Sequence, residues 1–133
     1  MRPARLLLAG AALVLAPAAT RAASIDGSKP LVCDLVEAAQ CDGAAKCTDV
    51  TPEQIDLPGP VHVDFAGKRL HSADAQRSSP IASVEPQDAQ LLLQGSDGGR
   101  GWTMVIDRTS GHLSATVTDV EGVFVLAGAC VAK

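Results

Sequence analysis

Apolar and polar residues alternate along the last third of the chain, in short runs that end at Gly, Asp or Ser. Over residues 102–107, Trp102, Met104 and Ile106 fall on one face of an extended chain, because strand side chains point alternately to opposite sides. Residues 112–118 repeat the pattern with apolar side chains at alternate positions. The pattern predicts an antiparallel meander with one face in the core and the other in water.

Glycine marks the turns between these runs. The connections 108–111 and 119–122 each end in glycine, and we expect a positive φ at Gly111 and Gly122, as hairpin turns often require. The glycine-rich stretch 95–101 precedes a strand pattern. A phosphate-binding loop would need a helix in that place, so this stretch is interpreted as a hairpin.

Extending the same criteria over the whole chain gives eight strands. They lie near residues 31–37, 61–65, 68–72, 81–85, 89–95, 101–107, 112–118 and 123–131. No segment between them is long and amphipathic enough for a crossover helix, so the pairing should be antiparallel. The predicted fold class is all-β: a single domain forming a small closed or nearly closed meander barrel, with a two-layer β-sandwich as the alternative.

The remaining segments are predicted to be irregular. Thr51, Pro52 and Gln54 have the spacing of a capping box, which predicts one short helical turn near 52–56 within an otherwise irregular stretch from 40 to 60. Ser24–Lys29 is polar and is expected to be a loose arm. Ser72–Pro80 is the longest polar connection.

The first 22 residues have the organisation of a secretory signal peptide. Basic residues at Arg2 and Arg5 precede an apolar stretch over 6–16, and Thr20 and Ala22 are small residues suited to cleavage after Ala22. The apolar stretch is far shorter than the ~20 residues that span a bilayer, so no membrane anchor is expected. Residues 23–133 then form the mature domain, in the periplasm or secreted.

Charge argues against some classes of partner. Removing residues 1–22 removes three arginines and no acid, which leaves eight Lys or Arg against fifteen Asp or Glu, a net charge of −7. Binding to nucleic acid or an anionic lipid surface needs clustered cations, so neither partner is expected. We expect a monomer whose unknown partner is an envelope or extracellular protein.

The cysteines number four, an even count in an exported chain, which indicates two disulfides. The predicted pairs are Cys41 with Cys47, across a short loop containing Asp-Gly, and Cys33 with Cys130, which would link the first strand to the last. The spacing lacks the close pairs of a structural zinc site, so no metal is predicted.

Candidate chemistry is sparse. Arg100 beside Trp102 is a possible recognition pair, and Arg77 in the polar connection is a third recognition candidate. Trp102 is also the largest available core side chain in a chain whose other aromatics are Phe65 and Phe124. The three histidines fall on outward faces, and no serine lies in a Gly-x-Ser-x-Gly elbow. No catalytic residue and no cofactor are predicted.

Several short motifs resemble those of a group of small exported proteobacterial proteins of unknown function. They are LLLQG at 91–95, GRGW at 99–102, the turn 107–111 and GAC at 128–130 in the second half, with CDLVEAAQC at 33–41, Cys47 and VDF at 63–65 in the first. The resemblance implies a Gram-negative periplasm or secretion beyond it. It brings no catalytic or binding residue.

Three functional hypotheses follow. The first is a non-enzymatic binding or interaction module, a class in which hydrolase inhibitors are an analogy from architecture alone. The second is a lipocalin-like barrel for a small ligand, which requires an internal cavity lined by Trp102. The third is an enzyme, which requires titratable groups clustered in a cleft.

Overall fold

A computed structural model describes residues 24–43, 46–57 and 59–133, so the predicted signal peptide at 1–22 lies outside the described residues. The described chain is all-β, as predicted. Its strands are β1 (Leu31–Asp42), β2 (Lys46–Val50), β3 (Val61–Asp64), β4 (Arg69–His71), β5 (Ser78–Pro86), β6 (Gln90–Asp97), β7 (Arg100–Asp107), β8 (His112–Thr118) and β9 (Val123–Ala132).

The strands close into an eight-stranded antiparallel barrel. Consecutive strands from β3 to β9 pair with one another, and β1 pairs with β9 along most of its length and with β3 at its start. The second half of β1 carries β2 on the edge that β3 leaves unoccupied. The predicted closed barrel is confirmed, and the two-layer sandwich is not formed.

Both predicted disulfides are confirmed. Cys33 and Cys130 are register partners on β1 and β9, and their bond, here the seam disulfide, crosses the junction where the barrel closes. Cys41 and Cys47 are register partners on β1 and β2, and their bond is the hairpin disulfide. Two disulfides indicate an oxidising environment outside the cytoplasm.

The prediction that residues 40–60 are largely irregular was wrong at its start. β1 continues to Asp42, and Lys46–Val50 forms the additional strand β2. Four of the five β2 residues are exposed, so the strand shows no apolar alternation. Its pairing is fixed by the hairpin disulfide and the ladder with β1.

The predicted helical turn near 52–56 is confirmed as a 3-10 helix over Pro52–Ile55. Thr51 Oγ1 accepts the backbone N–H of Gln54 at 3.3 Å, while Gln54 Oε1 accepts the N–H of Thr51 at 2.8 Å. This reciprocal capping box satisfies two donors that the helix itself cannot. Asp56 ends the helix in the left-handed region, with φ of 67°.

Strand irregularities curve the sheet so that it can close. The register shifts by one residue between Leu35 and Glu37 on β1, and again between Ile81 and Ser83 on β5. Bulges of this kind bend a strand and increase its twist. Beside the first bulge, a Cβ on Gly128 would lie only 2.0 Å from the carbonyl oxygen of Asp34, so glycine allows β9 to approach β1 there.

Apolar side chains fill one end of the barrel, which we call the base. The largest fully buried side chains are Leu31, Leu91, Leu93, Ile106, Leu113 and Val63, together with Cys33. As predicted, Met104 and Ile106 on β7 and Leu113 and Ala115 on β8 point inward. Among the residues described, no polar or charged residue is buried.

The segment Ser24–Lys29 closes the base, so the expectation of a loose arm was wrong. Ile25 is buried in the core cluster. Its N–H donates to the Arg108 carbonyl at 2.8 Å, and Arg108 Nε donates back to the Ile25 carbonyl at 2.9 Å. One apolar residue in a polar segment is therefore enough to dock the arm when the backbone around it finds partners.

The turn glycines follow the prediction at one position and depart from it at another. Gly111 has φ of 77°, as expected. Gly122 has no positive φ. Glycine is required there because a Cβ would lie 2.5 Å from the Cys41 carbonyl oxygen. In the hairpin between β6 and β7, Gly98 and Gly99 both have positive φ, the requirement of a type I′ turn.

Candidate functional site

The end of the barrel opposite the base, here called the mouth, contains an apolar cavity of about 260 Å³ that opens to solvent. Three buried core residues, Met104, Ala115 and Leu126, form the boundary between the filled base and this cavity. The cavity walls include Leu35, Leu57, Leu70, Trp102, Met104, Val117 and Leu126. Small-molecule sites in proteins are concave and mostly apolar, usually with volumes of about 300–1,000 Å³, so this cavity lies just below that range.

Trp102 forms one wall of the cavity in a fixed orientation. It pairs with Gly95 across β6 and β7, and a Cβ on Gly95 would lie 2.4 Å from Trp102 Cζ2. The indole therefore lies directly over the glycine backbone. Its Nε1–H donates to Ser79 Oγ at 2.9 Å. Contact on one face and a hydrogen bond at the ring edge hold the indole in place.

Arg100 stands at the mouth on the β6–β7 hairpin. Its backbone pairs with Asp97 around the Gly98–Gly99 turn, and its Nε lies 3.4 Å from Asp119 Oδ2. The backbone N–H of Glu121, which donates to the Asp119 carboxylate, lowers the pKa of that carboxyl below its ordinary value. Asp119 therefore stays ionised opposite the guanidinium.

Arg77 reaches the mouth from the β4–β5 connection. That connection is shorter than expected, because Ser78–Pro80 belong to β5. Within it, Ser72 Oγ accepts the Arg77 N–H at 3.1 Å. The guanidinium Nη1 of Arg77 lies 3.1 Å from Asp56 Oδ2, which connects this turn to the end of the 3-10 helix.

The three recognition residues predicted from the sequence thus come together. Arg77, Arg100 and Trp102 all line the cavity at the mouth, although they arise from separate segments. Sequence reasoning missed Leu57, which follows the 3-10 helix, and Ser79, which orients the indole. Neither residue carries a sequence signal that distinguishes it from others of its type.

The acidic groups with shifted pKa values belong to turns and caps. The pKa values of Asp26, Glu53, Asp74, Asp107 and Asp119 all lie below their ordinary values. For Asp107 the main cause is the backbone N–H of Ser110, followed by that of Thr109. These hydrogen bonds favour the ionised form and stabilise the turns.

One of the three histidines, His71, lines the cavity at the mouth. His62 and His71 are register partners on β3 and β4, as their predicted hairpin suggested. His62 Nδ1 lies 3.4 Å from the ammonium of Lys133. Over the ranges 24–43, 46–57 and 59–133, no three His, Cys, Asp or Glu side chains lie close enough together to share a metal ion.

Fold and site together define a closed eight-stranded antiparallel barrel, filled at its base, with an apolar cavity and two arginines at its mouth. No family model, curated protein or solved structure matches the chain. Within the part of the chain that the structure describes, no helix is long and apolar enough to span a membrane.

Proposed function

We propose that this protein is a non-enzymatic binding protein that holds a small, largely apolar molecule at the mouth of its barrel. The observation that carries the proposal is the apolar cavity of about 260 Å³ with Trp102 in its wall. A barrel whose interior only had to be packed would have side chains at both ends. Most of the apolar side chains in the walls of this open cavity are only partly buried, so they forgo part of the hydrophobic stabilisation, and this favours a role in binding.

The site of action in this proposal is the periplasm or the exterior of the cell. Two disulfides and a sequence with the organisation of a signal peptide over residues 1–22 support export. The mature chain would carry a net charge of −7, which disfavours nucleic acid as the partner.

Native mass spectrometry tests both parts of the proposal. The full chain is expressed with its leader, purified gently from the periplasm, and measured under native and then denaturing conditions. We expect an added small mass that is lost on denaturation, and a denatured mass that corresponds to cleavage after Ala22 with both disulfides formed. A bare native mass, with no change in Trp102 fluorescence on adding small apolar compounds, would contradict ligand binding.

A matched pair of variants locates the ligand. Val117→Phe places a ring in the cavity, whereas Val105→Phe makes the same change on the outward face of β7. We expect the first to lose the bound mass and the second to retain it. Retention by both folded variants would place the ligand elsewhere on the protein.

A second candidate function is recognition of an envelope or extracellular protein, including inhibition of a hydrolase. The observation that favours it is the position of Arg100, whose half-exposed guanidinium stands on a two-residue hairpin and pairs with Asp119. A rigidly held arginine is a common centre of protein recognition. Arg100→Ala would then abolish capture of the partner, while Val117→Phe would leave it unchanged.

A further inference from the structure

We propose that the ligand is an amphipathic monoanion, with an apolar chain in the cavity and a carboxylate held at the mouth between Arg77 and Arg100. The proposal rests on the proposed ligand-binding function and specifies the chemical class of the ligand. It follows from the two arginines in the cavity lining, from the hydrogen-bond donors that their ion pairs leave free, and from the size of the cavity.

Arginine is the main charged residue in the lining of the cavity, although the protein as a whole is acidic. From residue 24 onward the chain has eight Lys or Arg against fifteen Asp or Glu. Among the described residues, the cavity lining contains Arg77 and Arg100 and one acid, Asp97. Asp56 and Asp119, which pair with the two arginines, lie outside this lining. The two guanidinium groups are therefore the groups in the lining that can bind an anionic group on the ligand.

Each guanidinium is paired with a carboxylate at the rim. Arg77 pairs through Nη1 with Asp56, and Arg100 pairs through Nε with Asp119. The side chains of Arg77 and Asp56 are about half and nine-tenths exposed, and such exposed ion pairs contribute little to stability. A guanidinium has five N–H donors, so a ligand carboxylate can bind beside the aspartate or replace it.

The space above the filled base limits the size of the apolar part of the ligand. A 150 Å³ apolar cavity is known to hold benzene, so about 260 Å³ accommodates roughly ten non-hydrogen atoms. Trp102, Met104 and Leu126 supply the apolar contacts. Octanoate has this size and chemistry, and it serves as the probe.

The test compares three probes that share an eight-carbon chain and differ in charge: octanoate, octanol and octyltrimethylammonium. Trp102 is the single tryptophan of the chain, so its fluorescence reports occupancy of the cavity directly. On the full protein we expect octanoate to bind about tenfold more tightly than octanol, and the cation most weakly. Raising the salt from about 0.05 to about 0.5 M should reduce the preference for octanoate over octanol.

Variants assign the preference to the two arginines. We expect Arg77→Gln and Arg100→Gln each to weaken octanoate binding about threefold, and the double variant to bind octanoate and octanol equally. Lys29→Gln removes one positive charge from the exposed arm at the base and should leave all three affinities unchanged. Arg100→Lys retains the charge and should keep part of the preference. Thermal unfolding of each variant shows whether it is folded.

The outcomes separate the two proposals. If octanol binds as tightly as octanoate, or the cation binds most tightly through Asp97 and the indole face, the proposed ligand class is wrong while ligand binding stands. An unchanged preference in a folded double variant would also overturn it. If none of the three probes alters Trp102 fluorescence and the native mass is bare, the proposed function itself fails.

Discussion

Gly95→Ala is expected to displace the Trp102 indole from the cavity wall and to destabilise the barrel. The added methyl would lie 2.3 Å from the Pro80 carbonyl oxygen and 2.4 Å from Trp102 Cζ2. Ordinary contact begins near 3.4 Å, so the indole or the β5 backbone has to withdraw by about 1 Å. The variant therefore tests whether glycine is required for the placement of the indole.

The expected loss of stability has two causes, overpacking and a broken hydrogen bond. Overpacking costs about 1–3 kcal/mol, and movement of the indole also breaks its 2.9 Å hydrogen bond to Ser79, worth about 1 kcal/mol. We expect the free energy of unfolding to fall by about 2–4 kcal/mol. For a domain of this size, that corresponds to a decrease in Tm of about 8–16 °C.

Gly101→Ala is the matched control, because it adds the same methyl to the neighbouring strand with no atom within 4 Å. Its free energy of unfolding should be unchanged or slightly raised. Urea unfolding followed by circular dichroism measures stability, and the emission maximum of Trp102 measures the environment of the indole. Gly95→Ala should be less stable and red-shifted. Equal stability and equal emission in the two variants would refute the packing argument.

Three further predictions concern the ends of the barrel and its turns. Replacing both cysteines of the seam disulfide by alanine should lower the free energy of unfolding by up to about 4.7 kcal/mol, and replacing those of the hairpin disulfide by about 2.2 kcal/mol, because the sequence separations are 97 and 6 residues. Equal losses in urea unfolding would contradict the loop-entropy reasoning. Ile25→Ala should lower the free energy of unfolding by about 2–4 kcal/mol while Lys29→Ala has almost no effect, and equal midpoints would show that the arm does not close the base. The pKa of Asp107 is lower in the folded protein than its ordinary value of 3.8, so its ionised form stabilises the protein above that pH and the stabilisation is lost as the pH falls. Asp107→Asn should therefore flatten the acid-unfolding curve below about pH 4. An unchanged curve would contradict this.

The sequence was most informative where local pattern and tertiary structure agree. Alternation placed Met104 and Ile106 in the core, and the even number of cysteines with one short loop predicted both disulfides. The sequence was least informative where a structure depends on contacts between residues that are far apart in the chain. β2 has almost no buried side chain, and Ile25 docks only because Arg108 lies at the same end of the closed barrel.

The same distinction applies to the site. Arg77, Arg100 and Trp102 could be selected as unusual residues, but no local pattern shows that their segments meet at one end of the barrel. Whether the interior there is filled depends on strand tilt and stagger, which no single strand encodes. Likewise the close approach that requires glycine at position 122 involves the Cys41 carbonyl, more than eighty residues earlier in the chain.

The junction of β1 with β9 also affects how the protein can be made. A chain that enters an oxidising compartment amino end first exposes Cys33, Cys41 and Cys47 well before Cys130 arrives. Oxidation in order of appearance would join Cys33 to a near neighbour, which is not the native pairing. A chain exported in this way would reach the native pairs by slow oxidation or by disulfide isomerisation, since thiol exchange is the route back from a wrong pair. The barrel can close only when β9, the last strand of the chain, is available to pair with β1, the first.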